Sequence, residues 1–318
     1  MGAAGVAPNL LVIYLALRVR KLRTATNAFI ANGCAANLLV CAFWMPHEAA
    51  AVSGVGPAAP GYHAFREALL LVGVAASLLS HSLVAVNRYV LITKAPATYQ
   101  NLYQKRRAEW MIGASWLVAL GCAAPWVTSA GRAADRGPCA NATSRYASAL
   151  SEPRAAATLA LCIVGQTPVV LYCYFKIFRR VQVSVKRVSV LNFQVVTNLP
   201  YSFPRRDKRL GRYVLAVCFA FCLATQPLLW VLVAGLFVEV PGALRTSLWL
   251  LFCTLFVTNP FLYTWKNEEF RKSLRAVVRG EHWRGSAVGA EPAAAAVSAV
   301  SHVFPRQNSR RAFLEEMN

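Results

Sequence analysis

Residues 66–92 read REALLLVGVAASLLSHSLVAVNRYVLI, and from Ala68 to Asn87 this stretch holds no Asp, Glu, Lys or Arg. A helix needs about 20 mostly apolar residues to cross roughly 30 Å of hydrocarbon, and this run supplies them between Glu67 and Arg88. Composition extends the reading to the whole chain of 318 residues, of which 57% are hydrophobic and 15% charged. Soluble domains carry roughly 25% charged residues. The expected fold is all-α, a bundle of membrane-crossing helices.

Comparable runs occupy 26–48, 108–127, 155–180, 210–235 and 243–265. Ala3 to Leu17 makes a seventh, too short to cross unaided at about 1.5 Å per residue. Its basic residues (Arg18, Arg20, Lys21 and Arg23) follow the apolar run, the wrong order for a signal peptide. Val6 stands where a myristoylation motif needs Ser or Thr. The segment is read as a first span lacking its outer end. With the N-terminus outside, segments 18–27, 88–109, 176–212 and 264–318 become cytoplasmic and hold 28 of the 34 Lys and Arg. Short cytoplasmic loops collect such charge, so this orientation is expected, with the C-terminus inside. The sequon Asn141-Ala142-Thr143 then lies outside as a glycosylation site.

The expected organisation is a seven-span domain over 1–265, an amphipathic helix over 266–279 and a disordered cytoplasmic tail over 280–318. The amphipathic segment sets Phe270, Leu274, Val277 and Val278 against Arg271, Lys272, Arg275 and Arg279, a pattern suited to the inner leaflet. Residues 181–207 read as a basic inner loop.

The net charge of +21 is accounted for by the cytoplasmic face, so nucleic acid is not an expected partner. Eight of the nine cysteines lie in apolar spans, where a thiol packs as a small hydrophobe, and only Cys139 sits in an outer loop. The histidines never pair at a ligand spacing, and no acids, bases and nucleophiles converge. No metal, cofactor or catalytic residue is expected, and His81 reads as a hydrogen-bonded core residue. Few ionisable groups occur within the spans, which argues against ion and proton pathways. A transporter of uncharged solutes or a scramblase-like bundle remains a competing reading. Pro46, Pro125, Pro168, Pro227 and Pro260 fall in five different spans, and kinks at these sites suit a bundle whose inner ends swing.

The third span ends Val86-Asn87-Arg88-Tyr89, and the last ends Asn259-Pro260-Phe261-Leu262-Tyr263, with Phe270 seven residues on. Asn9, Trp116, Pro168, Phe221 and Pro227 complete an ordered set. Together these residues resemble the rhodopsin-like (class A) G-protein-coupled receptors over nearly the whole chain. The strings APATYQ from Ala95, VSVKRVSVLNF from Val183 and YTWKNEEFR from Tyr263 resemble an orphan member of that family. The resemblance implies a plasma-membrane receptor that activates a heterotrimeric G protein, of the inhibitory class that lowers cyclic AMP. It also implies arrestin as a further partner and membrane lipids as surroundings. Coupling and activation would rest on Asn87, Arg88, Tyr89, Asp207, Asn259, Pro260 and Tyr263, with Asp207 pairing with Arg88 in the inactive state.

The departures from the family pattern are specific. Asn37 replaces the second-helix aspartate of a sodium site whose other members, Ser77 and Asn259, remain. Thr225 replaces a ligand-sensing tryptophan, and Lys176 a fifth-helix tyrosine. His63 stands where the family has a cysteine, so its usual disulfide to Cys139 cannot form. Leu70 occupies the place of the amine receptors' aspartate, and Cys253 that of the opsins' lysine. An upper lining of Leu70, Val74, Val164, Thr225, Leu228, Leu232 and Trp249 suits an uncharged, lipophilic ligand, or simple helix packing. These departures leave a non-signalling relic as a third reading.

Overall fold

Seven long helices and three short ones account for most of the computed structural model, which describes residues 1–53, 60–134, 153–194, 203–264 and 267–279. The side chains of 51–52, 60–61, 63–64, 125–134, 153–154, 184–194, 203–211, 263 and 278 lie outside that description. No strand occurs among the described residues.

Helix α1 (Gly2–Arg18) is 17 residues long, a reach of about 26 Å. The Arg23 guanidinium donates to the Leu17 carbonyl (2.8 and 3.1 Å), satisfying one of the acceptors a helix end leaves open. A 3-10 turn (Arg20–Leu22) leads to Thr24, whose hydroxyl accepts from the Asn27 amide and caps α2 (Ala25–Leu38). A π-helical turn (Leu39–Trp44) joins α2 to α3 (Met45–Val52). Pro46 explains its position: proline has no N–H to donate and its ring crowds the carbonyl four residues back, so the helix widens just before it.

Helix α4 (Pro60–Thr93) is the central strut, packed against α2, α6 (Lys105–Ala134) and α7 (Pro153–Gln194), with short α5 (Pro96–Leu102) at its end. A ring runs from α1 through α2, α4, α7, α8 (Phe203–Ala234) and α9 (Gly242–Thr264) back to α1, and α6 packs outside it on α2 and α4. Close approach depends on glycine, as two positions show. A Cβ on Gly5 would lie 2.5 Å from the Cys41 sulfur, and one on Gly73 would lie 2.8 Å from the Val40 methyl. Both therefore bring a helix backbone against the π turn.

Four stretches are long and apolar enough to cross a membrane: Ala25–Ala50, Phe65–Thr93, Ala155–Val183 and Arg212–Ala234. Large apolar side chains such as Leu117, Leu161, Phe219 and Trp230 point outward from the bundle. That surface suits lipid rather than water.

The reading of 181–207 as a loop needs correction, because α7 continues to Gln194 and α8 begins at Phe203. Val181, Val185, Val188 and Leu191 recur at helical spacing, so the stretch carries an apolar stripe that its β-branched, basic composition disguises. Helix α10 (Glu268–Val278) forms where the amphipathic pattern placed it, capped by Asn267 accepting from the Phe270 amide. Phe270 and Ser273 are buried, Arg271, Lys272 and Arg275 are exposed, and α10 rests on α1. The expected tail at 280–318 lies outside the described residues.

Candidate functional site

Two motifs meet at the end of the bundle where α4, α8 and α9 converge. Arg88 donates from Nη1 to the Tyr213 hydroxyl (2.7 Å), and that hydroxyl donates to the Leu262 carbonyl (2.7 Å). Leu262 lies in the last turn of α9, where carbonyls have no helical partner, so one tyrosine ties Arg88 to the Asn-Pro-x-x-Tyr segment. Asn87 does not face Arg88. Its Oδ1 accepts from Thr26 of α2 (2.5 Å), and its Nδ2 donates to Tyr99 of α5 (3.4 Å). Tyr89 packs edge-on to Tyr172 of α7, with ring centroids 6.0 Å apart. The side chains of Asp207 and Tyr263 lie outside the described residues, so the expected Arg88–Asp207 pair does too. Tyr213 was missed in the sequence because its value depends on where α9 ends.

Deeper in the bundle, Ser77 donates to Asn37 Oδ1 (2.7 Å), and Asn37 Nδ2 donates to Asn9 Oδ1 (3.1 Å). Asn9 Nδ2 donates to the Phe256 carbonyl (2.9 Å), the acceptor that Pro260, four residues on, leaves without its helical partner. Asn259 does not join Asn37. Its amide nitrogen lies 2.7 Å from His81 Nε2, within hydrogen-bond distance. Among the described residues the buried Asn259 Oδ1 has no hydrogen-bond partner. The space between these groups is about 10 Å³, lined by Asn37, Ser80, His81 and Asn259 among apolar residues. Amides, hydroxyls and an imidazole without a carboxylate do not fit a sodium ion, which needs negative charge to offset its dehydration. Nearby, Trp116 donates to Asn32 (2.8 Å) and Asn32 to Ser80 (2.8 Å), joining α6, α2 and α4.

In the half of the bundle away from Arg88, Leu70, Val74, Leu228, Leu232 and Trp249 are buried in one apolar cluster. Thr225 is buried beside them and turns its hydroxyl to the Phe221 carbonyl (2.7 Å). Val164 does not join them, because it is 50% exposed on the outside of α7. Trp249 meets Trp44 edge-on (5.6 Å) and stacks on Phe252 (5.5 Å).

Beside this cluster lies a charged group that the sequence showed only as span-end residues. Arg66 contacts Glu48 (3.1 Å) and Glu67 (3.1 Å), and Arg66 and Glu67 are both buried. The arginine thus joins α3 to α4. Among the described residues no group of His, Cys, Asp and Glu is placed to hold a metal. The eight described cysteines are free, and Cys139 and Asn141 lie outside the described residues.

Comparison with known proteins places this geometry. The family described as 7 transmembrane receptor (rhodopsin family) matches residues 8–263. Melanopsin-A of Danio rerio is 28% identical over 238 residues, covering 71% of this chain and 39% of that protein. Human melanopsin is 31% identical over 193 residues, covering 57% and 38%. The G-protein coupled receptor moody of Drosophila melanogaster is 24% identical over 336 residues, covering 86% and 49%. The chain therefore spans half or less of the length of these relatives. With the family match running from α1 to the end of α9, the chain belongs to the rhodopsin family of seven-transmembrane receptors, which are multi-pass plasma-membrane proteins and not enzymes.

Proposed function

We propose that this chain is a receptor that activates heterotrimeric G proteins of the inhibitory class, lowering cyclic AMP, from the end of the bundle that carries Arg88. The observation that carries the reading is the Arg88–Tyr213–Leu262 link, which ties α4, α8 and α9 together where the motif residues meet. Such a link holds one of two conformers, and a G protein would shift the balance through its differential affinity for the other. The basic bias supports a cytoplasmic position for this end, with the N-terminus outside and the tail inside. Asn87, Tyr89, Asn259, Pro260 and Tyr263 would support the switch, with Asp207 as a second partner for Arg88. Arrestin would compete for the same mouth.

The buried upper residues suit an uncharged, lipophilic ligand. Although melanopsins are among the relatives, α9 contains no lysine and Cys253 occupies the opsin position, so opsin-like cofactor attachment is not part of the proposal. The strings from Ala95, Val183 and Tyr263 support kinship with the orphan G-protein-coupled receptor eighty-eight.

Tyr213→Phe tests the link. It removes one hydroxyl that accepts from Arg88 and donates to Leu262, and is expected to raise basal signalling severalfold at equal surface expression. The readout is cyclic AMP in cells expressing each form, with and without toxin inhibition of the inhibitory G protein. A fall in cyclic AMP abolished by toxin supports the reading. Silence of both forms at good surface expression refutes it, and uncharged-solute flux would favour a transporter.

A further inference from the structure

We propose that the recess between the ends of α4 and α7 nearest Arg88 binds the phosphorylated headgroup of an inositol lipid. The recess has a volume of about 310 Å³ and is lined by Tyr89, Thr93, Lys94, Lys176, Arg179, Arg180 and Val183, with no acidic residue among them. Lys94, Lys176 and Arg179 converge on this space, and a polyvalent anion offsets their mutual repulsion better than a single charge does.

Depth points to a lipid rather than a free phosphate. Lys94 directly follows the span Phe65–Thr93, whereas Lys176, Arg179 and Arg180 lie inside the span Ala155–Val183. Long cationic side chains near a membrane boundary ordinarily extend outward to the headgroups. Here Lys176 Nζ lies 5.4 Å from the Tyr172 ring centroid and Arg179 Cζ lies 5.9 Å from that of Phe175. Each ring is one helical turn back towards the hydrocarbon. Lys94 Nζ likewise lies 5.8 Å from the Tyr89 ring, and Tyr89 meets Tyr172 across the two helices. The aromatic rings thus hold the cations at the inner edge of the apolar layer. An anion reaches that level readily when acyl chains anchor it. Tyr172 and Phe175 are 54% and 56% exposed on α7, an apolar track for such a chain beside the recess. Basic pockets between spans on the cytoplasmic side are suited to phosphoinositide headgroups.

The inference rests on the cytoplasmic placement proposed above. The full chain in phosphatidylcholine nanodiscs would be given phosphatidylinositol bisphosphate or, at matched negative charge, phosphatidylserine. Retained lipid is read by native mass spectrometry and stabilisation by the melting temperature. The wild type is expected to retain the bisphosphate selectively and to melt higher with it, since a ligand that binds only the folded state stabilises it. Lys94→Gln with Arg179→Gln is expected to weaken retention roughly 30-fold, the effect of two Lys or Arg charges near a membrane surface. The exchange Lys94→Arg with Arg179→Lys keeps the charges and is expected to keep the lipid. Lys21→Gln with Arg106→Gln, basic positions outside the recess, is the control. Equal retention of both lipids overturns the inference, as does an equal loss in the control pair or full displacement by soluble inositol trisphosphate. A carboxy-terminal epitope accessible from outside intact cells would remove the cytoplasmic placement itself. With that epitope inside, headgroup-blind retention removes this inference alone.

Discussion

Both ends of the Asn37 amide are in use, the oxygen accepting from Ser77 and the nitrogen donating to Asn9. An aspartate at that position would keep the first bond and lose the second. It would also set a carboxylate oxygen against Asn9 Oδ1, now 3.1 Å from the amide nitrogen, and a cation between two such oxygens relieves the conflict. The wild type is accordingly expected to melt at the same temperature in sodium and in choline at constant ionic strength, whereas Asn37→Asp gains stability with sodium. A wild-type melting temperature that climbs with sodium would refute the loss of the site, and a flat response in both would show that the space is too small for the ion. The substitution of Asn37 could be read from the sequence. Its partner could not, because Asn9 reaches Phe256 across 247 residues, through a carbonyl that Pro260 exposes. His81 was legible only as a core residue, and its bond to Asn259 needs the packing of α4 on α9 to be seen.

Among the elements, hydrophobic runs located every long helix because hydrocarbon imposes length and apolarity together. They could not mark where α7 and α8 end, since helix outside the membrane needs only a stripe. Nor could they show the π turn before Pro46, which depends on how a broken hydrogen-bond ladder is repaired. The Arg66 contacts were hidden for a third reason: Glu48 lies on α3 and meets Arg66 of α4 only once those helices pack. Removing one partner of a buried ion pair leaves the other uncompensated, a loss of about 3–5 kcal/mol. Arg66→Met, which keeps the apolar bulk, is expected to lower the melting temperature markedly and reduce surface expression. Adding Glu48→Gln and Glu67→Gln removes the stranded charges and is expected to recover part of the loss. An effect of Arg66→Met below about 1 kcal/mol, as for exposed pairs, would show that the contact contributes little to holding α3 on α4.

At the scale of the whole molecule, α4 touches α2, α6 and α7, so movement at either of its ends is transmitted through a packed strut. The family disulfide would fasten the end of α4 opposite Arg88, but His63 occupies its position in this chain. The buried Arg66 contacts lie within a turn of that residue and supply an internal fastening between α3 and α4. The two fastenings differ in what they predict. If the internal one suffices, Cys139→Ser leaves surface expression, melting temperature and signalling near wild type, while Arg66→Met does not. Cys139 and Asn141 stand two positions apart in the sequence, so the same cells test the proposed topology: an outward segment carries glycan at Asn141, and glycosidase increases electrophoretic mobility in the wild type but not in Asn141→Gln. A severe trafficking defect in Cys139→Ser would show that this thiol has a covalent partner after all, and the non-reducing mobility of the wild type would reveal whether that partner is another chain. Mobility unchanged by glycosidase at normal surface expression would count against the outward placement of that segment, and with it against the cytoplasmic placement of Arg88.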